Sequence, residues 1–325
     1  MLKSRSRGAK SWLESERAAV SRLWGRVAQQ KSQSDAWKLL SWDSHPVTQQ
    51  YILRRITGDP HEHWLEFIRR RFRPDGGLKG LSLGCGFGDV ERYALRIGLC
   101  ASLDACDLSS EALAVAEHEA TQMGVAERLH YFECDLNKDT LGSHAYDICF
   151  GSATIHHVEN LSHVFSEIRR ALKPDGLLVL MEYVGPSRFQ WSDTVQSLLT
   201  TLLHVLPENH RRSLRHPGVT KNTIERPSIE AVTTADPSEA VRSAEILPEL
   251  ERQFAIEYRA DFGGTLLQFL LADIVGNFKV DDPRDCALLE LLTLFEETLI
   301  VRRVIPSDFV MLVASPLETE SRHSD

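Results

Sequence analysis

The chain has 325 residues, 42% of them apolar and 26% charged, so it has enough apolar surface to order and disorder is excluded as its main state. Thirty-seven Lys and Arg against 46 Asp and Glu leave a net charge of −9, which lacks the basic footprint of a general nucleic-acid binder. The N-terminus is polar, with no apolar core of a secretory signal, and the longest apolar stretches, 265–278 and 286–305, are too short or too charged to span a membrane.

Residues 1–75 read as helical. Ser11 and Glu14 form a capping box, and Trp12, Val20, Leu23, Trp24 and Val27 follow at helical spacing. The pattern loosens at 41–46, returns at Trp64–Phe72 and stops at Arg73-Pro74-Asp75-Gly76-Gly77. From Leu78 the rhythm changes to strands and helices in turn. Leu81–Leu83 is a strand running into Gly84-Cys85-Gly86-Phe87-Gly88, with a helix over Val90–Ile97. Ser102–Cys106 is a second strand closed by Asp107, and Ser109 caps the next helix, which Gly124 stops. Leu129–Cys134 and Tyr146–Gly151 are the third and fourth strands. A helical stripe from Leu161 to Leu172 ends at Lys173-Pro174-Asp175-Gly176, before a fifth strand at Leu177–Val184. Residues 185–253 are first helical and then loop-like. Ala255–Phe262 reads as a sixth strand, two apolar helices follow, and Asp308–Ala314 is the last strand.

Apolar strands alternating with helices give an α/β fold, a doubly wound and mostly parallel sheet. The expected organisation is an N-terminal helical cap (1–77), a core (78–184), a helical insertion acting as a substrate lid (185–253), a C-terminal completion of the sheet (254–315) and a tail (316–325). The six cysteines show no zinc spacing and no Cys-x-x-Cys pair, so they read as core residues in a reducing cytoplasm, with no metal expected.

Gly84-x-Gly86-x-Gly88 between strand and helix lets the backbone turn sharply against a ligand. A dinucleotide loop would place its third Gly at position 89, which is Asp89, and an acid there opposes a pyrophosphate. The loop therefore favours a ligand without phosphates. Asp107, 19 residues after Gly88, can take both hydroxyls of a ribose, and Asp135 can meet an amine at the ring end of a nucleoside.

LSLGCGFG, CDLSSEAL, CDLN and YDICFGSATIHHV with ALKPDGLLVLMEY together resemble, in order and over about 100 residues (81–183), the class I S-adenosylmethionine-dependent methyltransferases. The resemblance implies a Rossmann-like seven-stranded sheet and S-adenosyl-L-methionine as cofactor. It places Gly84, Cys85, Gly86 and Gly88 around the methionine end and Asp107 on the ribose. Leu108 would pack on the adenine, Asp135 would bond its amine, Leu136 would give a backbone contact, and Gly151 with Ser152 would line the floor near the sulfonium. The family's usual acid two residues before the first Gly is Ser82 here, so Ser82 acts through water or Asp89 or Glu91 supplies the charge.

Methyl transfer to oxygen benefits from a base, and His156 and His157 follow the fourth strand. The basic run 204–216 could receive an anionic group of the acceptor, and Arg242 and Ser243, before the sixth strand, are candidate acceptor residues. The function expected is methyl transfer to a small molecule (a metabolite, natural product or sugar), most simply at oxygen. The alternatives are a protein or RNA methyltransferase, or a non-catalytic relative. No nucleic-acid partner is expected, and the sequence does not disclose the oligomeric state.

Overall fold

The computed structural model of the protein describes residues 40–317 and, within an N-terminal helix, Arg17, Ala19, Val20, Ser21, Leu23, Gly25 and Val27. The capping box at Ser11 and the residues Trp12 and Trp24 lie outside the described residues. A short turn at Trp42–Ser44 leads into a helix at Pro46–Thr57, with Pro46 in its first turn, where a missing N–H costs nothing. The sequence reading did not single this helix out. The helix Trp64–Phe72 lies where expected, and its capping box is built by His63 and Glu66.

Seven strands form one sheet in the order β3-β2-β1-β4-β5-β7-β6. They are β1 (Leu78–Leu83), β2 (Cys100–Asp107), β3 (Leu129–Glu133), β4 (Tyr146–Ser152), β5 (Leu172–Tyr183), β6 (Phe254–Gly263) and β7 (Phe309–Pro316). Five run parallel, and β7 enters antiparallel between β5 and β6. Helices Asp89–Arg96, Ser110–Gln122 and Leu161–Ala171 join the parallel strands. One boundary differs from expectation. β5 begins at Leu172, paired with Tyr146, and the next pair is Ile148 with Leu177. The Lys173-Pro174-Asp175-Gly176 turn is thus a bulge inside the strand rather than a break before it.

Side-chain alternation splits the core in two. On one face Leu103, Phe150, Val179 and Met311 pack against Ile56, Leu65, Ile68 and Leu270. On the other Leu83, Cys149, Leu178 and Leu312 meet Leu161, Phe165 and Leu250. Residues 185–253 hold helices at Asp193–Val205, Ile229–Ala235 and Ile246–Glu251. The apolar stretch 265–278 contains a five-residue helix, Leu267–Leu271, and a 3-10 turn, Val275–Asn277, whereas the second stretch is the long helix Pro283–Val301. Among the described residues no helix is long and apolar enough to cross a membrane.

Candidate active site

The carboxyl ends of the parallel strands make one edge of the sheet, where ligands of such folds sit. Gly84, Gly86 and Gly88 all turn through positive φ (56°, 52° and 77°). A Cβ at Gly84 would strike Thr154, and one at Gly88 would lie 2.6 Å from the Tyr131 hydroxyl. At Gly86 the space is open, so the loop presents bare backbone there. Asp107 holds this loop: its Oδ2 accepts the Gly86 N–H and its Oδ1 the Ser109 N–H, each at 2.9 Å. Burial raises the Asp107 pKa, and these N–H groups pull it back. Each oxygen keeps a further lone pair for a hydroxyl. Asp135 closes the far end, its Oδ1 accepting the Asn137 N–H, with Lys138 3.4 Å and Arg17 3.7 Å from its Oδ2. Arg17 also donates to Glu133 at 3.0 Å, which brings the N-terminal helix over this end of the cleft.

Ser82 donates its hydroxyl to Glu91, a fully buried residue in the first turn of the helix after the glycine loop. The other carboxylate oxygen of Glu91 has no partner among the described residues. Burial first pushes its pKa up, to about 7, with the Ser82 hydrogen bond acting the other way. Asp89 is exposed and paired with Arg92 at 2.6 Å. Of the two acids weighed from sequence, Glu91 is therefore the one beneath the loop.

Beyond β4 the backbone kinks at Ala153, a non-glycine residue with φ of 51°, and enters a short 3-10 turn at Ile155–His157. Glu182, fully buried on β5, organises this turn. Its Oε1 accepts the N–H groups of Thr154 (2.6 Å) and Ile155 (2.5 Å), and its Oε2 is 2.7 Å from His156 Nδ1. Nε2 of His156 lies 3.7 Å from Glu239. Burial lowers the His156 pKa, but Glu182, Glu239 and Asp236 raise it further, for a net rise above the ordinary 6.5. His157 moves the other way, well below 6.5, through burial and then the charge of His156. Its Nδ1 faces Ser238 Oγ at 3.0 Å, and Ser238 donates to Asp236 at 2.6 Å. His156, His157 and Glu239 each offer a ligand atom, all within 4.8 Å of one another, so these three could also hold a cation. That set departs from the sequence expectation of no metal.

Residues 81–180 match the model of a methyltransferase domain. The chain carries a class I S-adenosylmethionine-dependent methyltransferase domain. Curated relatives include a sterol 24-C-methyltransferase of Gibberella zeae, 27% identical over 42% of this chain and 35% of that one. A malonyl-[acyl-carrier protein] O-methyltransferase of Halalkalibacterium halodurans is 28% identical over 37% of this chain and 44% of that one. The alignments thus span less than half of either relative's length. In fold, the chain is similar to the geranyl diphosphate C-methyltransferase of Streptomyces coelicolor A3(2), with a TM-score of 0.50, 12% identity and coverage of 93% of this chain and 98% of that one.

The methyltransferase domain's cofactor is S-adenosyl-L-methionine. The residues present fit it: an open glycine cradle, a strand-end acid with free lone pairs, and an orphaned buried acceptor on Glu91. A side chain at Gly151 would meet Leu180 at 2.8 Å, and the Ser152 carbonyl lies 3.1 Å from Thr154 Oγ1, so this floor is tightly set. The other candidates fall differently. Arg242 is tied to Glu245 and to the Glu159 carbonyl, and Ser243 is fully buried, donating to the Gly185 carbonyl at 2.9 Å. In the basic run, His210 is paired with Asp285 at 2.6 Å and Arg211 with Asn222. These groups are committed to internal partners. The sequence reading missed Glu182, Asp236, Ser238 and Glu239. Glu182 had a signal: it is the lone charge inside Leu177-Leu178-Val179-Leu180-Met181-Glu182-Tyr183-Val184. Asp236 and Glu239 had none, because only folding brings them to His156 and His157.

Proposed function

We propose that this chain moves a methyl group from S-adenosyl-L-methionine to a hydroxyl of a small-molecule acceptor, with His156 taking the acceptor's proton. The observation that carries the reading is the His156–Glu182 contact of 2.7 Å at the carboxyl edge of the sheet. Glu182 fixes the ring and stabilises its protonated form, leaving Nε2 toward the lid. When bound, the cofactor supplies an electrophilic methyl on a positive sulfur. On this reading Gly84, Cys85, Gly86 and Gly88 seat its methionine end, and Glu91 meets its amino group beside Ser82. Asp107 and Leu108 hold the nucleoside, Asp135 and Leu136 the adenine, and Gly151 with Ser152 back the methyl. All six cysteines are free, in keeping with a reducing, cytoplasmic setting.

The test begins with a labelled-methyl screen against metabolites, sugars and cell extract, followed by pH–rate profiles at saturating cofactor. His156→Ala should lower kcat by about 10²–10⁴ with cofactor affinity unchanged. Because His156 is raised, the wild-type rate should climb with pH through an ionisation above 6.5, and the variant should lose that limb. Near-wild-type turnover in His156→Ala would remove the base. A second reading rests on the His156, His157 and Glu239 donor set, where a divalent cation would acidify the acceptor hydroxyl instead. A chelator should leave the rate unchanged under the first reading, and abolish it, with recovery on adding Zn²⁺ or Mn²⁺, under the second.

A further inference from the structure

Asp308 stands just before β7, on the same edge of the sheet, where its carbonyl accepts the Val184 N–H at 2.7 Å. It is 1% exposed, and neither carboxylate oxygen has a hydrogen-bond partner among the described residues. Thr265 lies beside it but points its hydroxyl at the Pro306 carbonyl, 2.7 Å away, and accepts the Asp308 N–H at 3.1 Å. The adjacent acid, Glu296, is already filled by the N–H groups of Gly264 (2.8 Å), Leu266 (2.7 Å) and Leu267 (3.0 Å). No described Lys, Arg or His acts on Asp308.

Burial raises the Asp308 pKa to about 7, and even a protonated acid is costly to bury without a hydrogen-bond partner, so its retention points to a partner from outside that would draw out the charged form. Its surroundings say which kind. A Cβ at Gly185 would lie 2.6 Å from the Asp308 carboxyl carbon and 2.7 Å from the Tyr183 ring, so this glycine lets acid and ring come together. Tyr183 packs edge-on to Phe309 at 5.4 Å, and Phe309 lies 5.5 Å from Trp42. Ring faces are electronegative: they attract a cation and repel an anion. The Tyr183 ring is 6.2 Å from His156, whose Nε2 is 3.7 Å from Glu239, so acid, rings and base follow one another in a continuous chain of contacts.

Building on the methyltransferase reading, we propose that Asp308, with the rings of Tyr183 and Phe309, receives a cationic amine of the acceptor while His156 receives its hydroxyl. The acceptor class is then an amino alcohol or amino sugar rather than a carboxylate or phosphate ester. The loop that starts at Gly185 covers Asp308, so the amine enters when that loop lifts.

The test uses the full chain saturated with S-adenosylhomocysteine, and ligand-observed NMR with three probes: choline, its uncharged carbon analogue 3,3-dimethylbutan-1-ol, and acetate. Choline should bind at least about 10-fold more tightly than the analogue, and acetate should not bind. Asp308→Asn should lose that preference while keeping its affinity for S-adenosylhomocysteine. Equal binding of choline and the analogue to the wild type overturns the amine site, as does an unchanged preference in Asp308→Asn. If Asp308→Asn fails to fold, the wild-type comparison still decides. Failure of the wild type to bind S-adenosylhomocysteine at all would instead overturn the methyltransferase reading.

Discussion

The two halves of the cleft treat their acids in opposite ways. At the cofactor end, Asp107 and Asp135 sit at or just past strand ends and accept the backbone N–H groups two positions on, at Ser109 and Asn137, with Asp107 also accepting from Gly86 in the glycine loop. At the acceptor end, Glu182 and Asp308 come from β5 and from the entry to β7 and are buried against residues far away in the chain. Local hydrogen bonding makes the first half a binding frame that needs little from the rest of the protein. The second half is assembled only by the complete sheet, and it keeps its acids away from water.

The comparison can be sharpened first at Asp107. Asp107→Ala should weaken S-adenosylhomocysteine binding by about 10- to 1,000-fold in calorimetry, from the loss of one or two charge-assisted hydrogen bonds. Thermal stability should fall modestly as well, because the Gly86 and Ser109 N–H groups lose their acceptor. A large drop in melting temperature with affinity intact would move Asp107 from ligand to scaffold. On the other side, Glu182→Gln should lower kcat by about 10- to 100-fold. Its distinguishing mark is the His156 imidazole titration by NMR, which should move down once the carboxylate is neutral. An unmoved titration would mean that Glu182 only holds the turn.

The smallest effect is a stability effect. Glu91 keeps its proton in the folded chain up to about 7, against an ordinary value of 4.5. Unfolding therefore releases a proton between those values, and ligand-free stability falls as pH rises through this window. Glu91→Gln should remove that fall. It should melt a few degrees above the wild type at pH 8 and level with it at pH 4. Indistinguishable melting curves at pH 8 would show that the Glu91 carboxylate is better solvated than its burial suggests.

The same division explains what the sequence disclosed. The glycine loop, Asp107 and Asp135 are each read within a few residues of a strand end, and hydrophobic period with turn residues located all seven strands. The β5 start was misplaced because Pro174-Asp175-Gly176 is a stop signal in any local reading, and only pairing with β4 turns it into a bulge. Asp308 was read merely as the first residue of an apolar strand. Its isolation depends on Thr265 and Gly185, which lie 43 and 123 positions away, and no periodicity reports that.

The antiparallel insertion of β7 also bears on how the molecule is made. Leu178 pairs with Ala314, so one side of β5 gains its partner only when the last strand arrives. During synthesis from the N-terminus, an apolar strand with open N–H and C=O groups waits while more than a hundred further residues emerge. A chain cut before Phe309 would keep its glycine loop and both strand-end acids, yet expose that edge to pairing with its own copies. Such a truncation should surface as aggregation long before it surfaces as lost cofactor affinity.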